Sequence, residues 1–325
     1  MIKKFVLFTL IINGSCYLQA WRERGIIENV LYYWQKLKIK TINNNVSLLS
    51  SDHSRKKVPS ERFDISGEKD CRGFGRRRMS KEEINKLQEE VEDGRLSVNA
   101  HDICDDSPSL LEYAIMLCDV NFCKFLIKKG ADVHRINYSH EPLLHMLVYE
   151  SNKHTEEKIE IIELLLESGV DINVYGVKGY GANTVLHKAV KDDDVSKKMI
   201  EFLIKKGVDV NARDEAFGAT ALVNLFRWYN VRKEDVFGVT QVLLNAGSDV
   251  NAQDEYGYTP LLELLSYGIY AKEDGKENKV FKIIDLLLEA GADIKIKNND
   301  GKNAFDYEIF NDYIAHRPYG KYANI

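Results

Sequence analysis

Four histidines, His134, His140, His145 and His154, crowd into one short stretch of the chain. Imidazoles in such a cluster could ligate zinc or shuttle protons, but their spacings match no zinc-binding pattern. The run Asp192-Asp193-Asp194 offers carboxylates to a hard cation. It falls between two helical patterns and reads as a solvated turn. A calcium loop centred on Gly301 would put Ile296 and Tyr307 at liganding positions, where oxygen donors are required. Gly73-Phe74-Gly75 precedes Arg76-Arg77-Arg78, yet no Gly-Lys-Ser/Thr follows and no strand pattern comes before, so it is no phosphate cradle. The basic triplet suits nucleic acid or anionic headgroups in principle, and a solvated linker is the commoner role. Nucleophile-elbow, Walker and His-Glu-x-x-His motifs do not occur. The expectation is therefore a protein with no catalytic residue, no cofactor-binding residue and no metal ligand.

The cysteines add little chemistry. Setting Cys16 aside leaves Cys71, Cys104, Cys118 and Cys123, an even set that permits disulfides in an oxidising space. No C-x-x-C pair is present. Cys118 and Cys123 lie in a helical pattern and read equally well as small buried hydrophobes. The compartment stays open on this ground.

The 325 residues are 44% apolar and 29% charged, a balance that supports a packed core over most of the chain. Charge is unevenly spread around the net −5. Residues 21–79 hold 14 basic against 7 acidic side chains, whereas 80–325 hold 29 against 43. The pattern predicts a basic arm ahead of an acidic folded body.

The chain opens Met1-Ile2-Lys3-Lys4, runs apolar from Phe5 to Ile12 and then reaches Asn13-Gly14-Ser15-Cys16. A charged start, a short apolar core and small residues near a cut site predict a signal peptide over 1–20. The apolar run is too short to span a bilayer. Cleavage after Cys16 places Gly14 and Cys16 at the small-residue positions. Cys16 also resembles a lipoprotein lipidation site loosely, with Asn13 where a Leu is usual. Export to a secreted, periplasmic or envelope location is expected; a cytoplasmic location is the alternative if the segment is retained. Trp21–Lys38 carries Ile26, Ile27, Val30, Leu31 and Trp34 at helical spacing, so one helix is expected there. From Lys40 to Met79 the pattern dissolves into polar linker.

The body, 80–325, repeats itself. Phe125 to Val133 reads FLIKKGADV. Variants return around Gly169, Gly207, Gly247 and Gly291, each with an apolar stripe before the glycine and an Asp two residues after it. Three of them continue to Asn173, Asn211 and Asn251. A stripe followed by Gly is a helix end with a left-handed residue beyond it, and the Asp/Asn pair starts a turn. A second phrase opens the next helix: Ser109-Leu-Leu-Glu112, Pro142-Leu-Leu-His145, Thr184-Val-Leu-His187, Thr220-Ala-Leu-Val223, Thr259-Pro-Leu-Leu262 and a half-copy from Asn303. Closing glycine to next opener takes 12, 15, 13, 12 and 12 residues. Opener to closing glycine takes 21, 27, 23, 27 and 32, so the irregular length falls between the two helices of each unit, around Tyr149–Lys158, Trp228–Gly238 and Tyr267–Lys279.

The two phrases and their spacing resemble the ankyrin repeat, whose period is about 33 residues and whose first helix opens on Thr-Pro-Leu-His. The resemblance covers 80–325. It implies an all-α ankyrin-repeat solenoid of about five full repeats with partial caps. Ser80-x-x-Glu83 opens the N-terminal cap, and Phe305, Tyr307, Ile309, Phe310, Tyr313 and Ile314 supply the closing one. It also implies protein–protein recognition without catalysis, and structural hydrogen bonds for His145 and His187. The Asn/Lys/Ile-rich usage and the Lys-Lys opening look bacterial.

Stacked arms and first helices form a continuous face, and exposed aromatics on it are favoured contact residues. The expected partner-binding residues are Tyr138, Tyr175, Tyr180, Phe217, Tyr256 and Tyr258, with Arg135 and Arg213 beside them. The expected function is an exported, monomeric scaffold that binds another protein and no nucleic acid. Two alternatives stay open. One is a tether holding the repeats at a membrane surface through the 21–79 arm. The other is a secreted effector or inhibitor acting on a host or envelope enzyme.

Overall fold

The computed structural model describes residues 62–63, 80–102, 108–137, 140–148, 153–179, 182–191, 196–227, 235–273 and 277–316. The expected signal peptide, the 21–38 helix, Cys16, Cys71, Cys104, the Asp192–Asp194 run, Tyr138 and Tyr180 lie outside these residues. Twelve α-helices stack in pairs among the described residues. They are α1 (Lys81–Glu92), α2 (Leu110–Leu117), α3 (Val120–Lys128), α4 (Leu143–Met146), α5 (Thr155–Glu167) and α6 (Val185–Lys191). Then come α7 (Lys197–Lys205), α8 (Ala221–Phe226), α9 (Val236–Asn245), α10 (Pro260–Glu273), α11 (Glu277–Glu289) and α12 (Glu308–Ala315). A 3-10 turn, Ala304–Asp306, precedes α12.

The pairs α2/α3, α4/α5, α6/α7, α8/α9 and α10/α11 are repeats 1 to 5. Their first helices pack on one another in series, α2 on α4, α4 on α6, α6 on α8 and α8 on α10. The second helices form a parallel outer row, α3 on α5, α5 on α7, α7 on α9 and α9 on α11.

Each boundary has a local cause. Ser80 and Glu83 form the expected reciprocal cap at the start of α1, and Ser109 and Glu112 form a second one at α2. Thr220 and Thr259 hydroxyls accept from the amides of Val223 and Leu262. Helices close on Gly130, Gly169, Gly207, Gly247 and Gly291, all with φ between 87° and 93°. At Gly207 the next amide, Val208 N–H, turns back to Leu203 O at 3.2 Å. That left-handed closure admits Gly without strain and is what the repeated phrase encodes.

One apolar core runs the length of the stack. Leu144, Ile161, Leu165, Leu186, Leu203, Leu222, Leu243, Leu264 and Ile284 are all at 0% exposure. Cys123 belongs to this core; burial pushes its thiol well above the ordinary range, so it acts as a small hydrophobe. The closing cap buries Ile309, Phe310 and Tyr313 but leaves Phe305 and Ile314 exposed. The extra length in repeat 5 goes into α10, which runs 14 residues. One feature departs from an all-helical body preceded by linker: Arg62–Phe63 pairs in parallel with His101–Asp102, just before α2.

Candidate binding surface

The arms between repeats are built by single side chains folding the backbone around themselves. Asp214 Oδ1 accepts from Phe217 and Ala219 amides. Asp254 Oδ1 accepts from Tyr256 and Tyr258, and Asn298 Oδ1 from Asp300 and Lys302. Adjacent arm tips are then joined by one backbone bond each. Val177 N–H donates to His140 O, Glu215 to Ala182, Glu255 to Phe217 and Asn299 to Tyr256, at 2.8 to 3.1 Å.

A second ladder runs along the bases of the arms. Asn173, Asn211 and Asn251 each accept the amide of the Asp in the next repeat, Asp209, Asp249 and Asp293, at 2.7 to 2.8 Å. Their amide nitrogens donate to the next closing glycine, Gly207, Gly247 and Gly291. Asn99 accepts from Asp132 in the same way. In repeat 5 the corresponding residue is Lys295.

This framework sets out the expected contact residues. Tyr175 and Tyr256 are exposed, at 44% and 37%. Partial burial and the nearby Asp209 raise the Tyr175 phenol pKa, against a hydrogen bond with the Arg213 backbone. Phe217 is half-buried, its ring 6.2 Å from that of Tyr256 and 4.3 Å from the Arg227 guanidinium. Tyr258 is half-buried on the same arm as Tyr256. Exposed Glu215 and Glu255 lie on the same two arms as Phe217 and Tyr256. The two arginines have structural work. Arg213 Nη1 donates to Gly218 O and Gln253 O, both at 2.6 Å, tying two arms together. Arg135 Nε lies 3.0 Å from the buried Glu112 carboxylate. Tyr175, Phe217 and Tyr256 thus stand in series on three consecutive arms, and Arg135 sits apart in the arm after repeat 1.

Sequence reasoning missed the charged cluster behind this strip. Arg227, at the end of α8 and 5% exposed, pairs with Asp254 of the following arm and with Glu263 of α10. Burial opposes its charge, but Glu263 and Asp254 outweigh that and hold its pKa above the ordinary range. Asn224 donates to Asp214 at 2.6 Å beside it. The signal was visible only as a charged residue in an apolar helix pattern.

The histidines behave as the resemblance implied. His187 Nε2 faces Ala219 O at 3.0 Å, an acceptor only, so Nε2 carries the proton. Nδ1 then accepts from Thr184, whose Oγ1 is 2.8 Å away. His145 Nε2 donates to Val174 O at 3.2 Å, but Pro142 stands where the Thr would be and Nδ1 has no partner. Burial lowers both imidazoles, His145 to about 4. Among the described residues no group of three or more His, Cys, Asp or Glu is placed to hold a metal ion, and no helix is long and apolar enough to cross a membrane.

Paired helices, arms on one edge, left-handed closing glycines and buried His-Thr caps define an ankyrin-repeat array, and the chain is built on ankyrin repeats. The family model for ankyrin repeats matches residues 111–214. The ankyrin repeat and SOCS box protein 6 of Homo sapiens and that of Pongo abelii are each 44% identical over 70 residues, 22% of this chain. The match spans only 15% of the length of each of these relatives. An ankyrin repeat protein of fowlpox virus is 38% identical over 74 residues, 23% of this chain and 16% of its own. Among solved structures, the ankyrin repeat domain of Bcl-3 aligns with a TM-score of 0.54 at 20% identity, over 71% of this chain and 91% of that domain. The human ASB11 ankyrin repeat domain aligns at 0.52 and 20%, over 71% and 92%. At that identity the likeness is one of fold.

Proposed function

We propose that the protein is a non-catalytic scaffold that captures another protein on the face made by its arms and first helices. The observation that carries this is the series Tyr175, Phe217 and Tyr256, aromatic side chains standing on three arms that the Asp and Asn bonds hold rigid. Rigid aromatics give contact area and a polar tip at small entropic cost. A photo-crosslinking residue at position 175 or 256 should yield a discrete adduct in native extracts. The same residue at 237, exposed on the outer row, should not. Equal labelling from both faces overturns the reading.

The protein is further assigned to the space outside the cytoplasm, as a monomer, on the pattern of Met1 to Cys16. N-terminal sequencing of the native protein tests this. A start near Tyr17 or Trp21 in an exported fraction supports it, and an intact Met1 in the cytosol sinks it.

A further inference from the structure

We propose that the array carries a built-in joint between repeats 1 and 2, at residues 134–145, where it opens before any other junction. Three positions there depart from the pattern of the other repeats, and each departure removes a tie that those repeats keep.

The first is His134. It occupies the place of Asn173, Asn211 and Asn251, four residues after the closing glycine. A carboxamide there would accept from Asp171 N–H and donate to Gly169 O. His134 makes neither bond, so this rung is missing while the rungs on either side are present. The second is His140, held at φ 61° in the place that Gly218, Gly257 and Gly301 fill at φ 60° to 78°. A side chain in that left-handed conformation is strained where glycine is not. The third is Pro142. It caps α4 without a side-chain hydrogen bond and leaves His145 Nδ1 orphaned in a fully buried site. Thr184 supplies both bonds in repeat 3.

The helix that follows is correspondingly short. α4 has four residues and packs on α2 and α6, without the broad contact with its own second helix that the other four repeats show. The apolar packing is not the weak part, since Leu143, Leu144, Leu147 and Val148 are as dry as their counterparts. The joint is a place where stacking is kept and the polar register ties are removed. In a linear array each junction contributes its own term, so the junction with the fewest ties opens first.

Amide hydrogen exchange on the full chain tests this. Residues 143–148 should exchange at least about tenfold faster than 185–191 and 221–226, under conditions where the whole fold is stable. The triple variant His134→Asn, His140→Gly, Pro142→Thr restores all three ties and should slow 143–148 by about tenfold while leaving 221–226 unchanged. Placing Asn211→His between repeats 3 and 4 should create a second fast-exchanging junction there. Uniform protection across the three first helices overturns the joint. So does a triple variant that leaves exchange at 143–148 where it was.

Discussion

The junction between repeats 1 and 2 and the junction between repeats 4 and 5 solve one problem in opposite ways. Both bury leucines and isoleucines almost completely. The later junction adds Arg227 bridging to Asp254 and Glu263, and Asn251 bridging to Asp293 and Gly291. The earlier one has Arg135 on Glu112, an empty rung at His134 and an orphaned imidazole at His145. The difference shows that apolar burial decides whether two repeats stack, and polar ties decide how firmly one stacked arrangement is held. Nonspecific area alone cannot fix register, because it is not directional.

The comparison breaks most readily at Arg227. Arg227→Ala leaves two buried carboxylates without a counter-charge and should cost about 3–5 kcal/mol of unfolding free energy in a denaturant titration. A cost below about 1 kcal/mol would mean that the later junction is not held by its ions. Acid should act next, and through the earlier junction. His145 holds a folded pKa of about 4 against about 6.5 unfolded. Stability is full above pH 6.5 and is lost as pH falls toward 4, because the unfolded chain takes the proton first. The groups acting on it are Glu141, which favours the charge, and Lys188 and His187, which oppose it. Between pH 7.5 and pH 5 the loss should be about 2 kcal/mol, and His145→Leu should remove that slope. His187 is shifted in the same direction and adds to it.

The ladder sharpens the contrast with smaller effects. Asn211→Ala removes one accepted and one donated bond and should cost about 1 kcal/mol in the same titration. His134→Ala, at the equivalent position of the earlier junction, removes no such bond and should stay within about 0.5 kcal/mol. Equal costs at the two positions would show that the ladder carries no stability.

The repeat array was legible in the sequence because its signals are local. A left-handed helix closure demands Gly and a first-turn cap demands Ser or Thr, so those positions announce themselves at fixed spacing. The closing glycines and the openers at Ser109, Thr184, Thr220 and Thr259 all stand at the boundaries their spacing predicted. The aromatic strip was legible for a related reason, since arm residues between two such signals have few places to go. What escaped was long-range. Arg227 meets Glu263 across 36 positions, and nothing at either residue names the other. Arg135 and Arg213 looked like free surface charge, yet one faces a buried carboxylate and the other clasps two carbonyls. The Asn ladder lay between these cases. Its residues were visible in the repeated phrase as turn formers, but their bonds reach the next repeat rather than their own turn.

That ladder also gives the stack a polarity. A carboxamide reads a donor and an acceptor on the following repeat at once, so each unit accepts a successor in one orientation. Lys295 ends the series with an ammonium that can only donate, and it offers nothing to an incoming aspartate amide. A second molecule placed head to tail on that edge would have to bury the amide without a partner. The edge therefore resists open-ended growth, the hazard of any surface that repeats along a line.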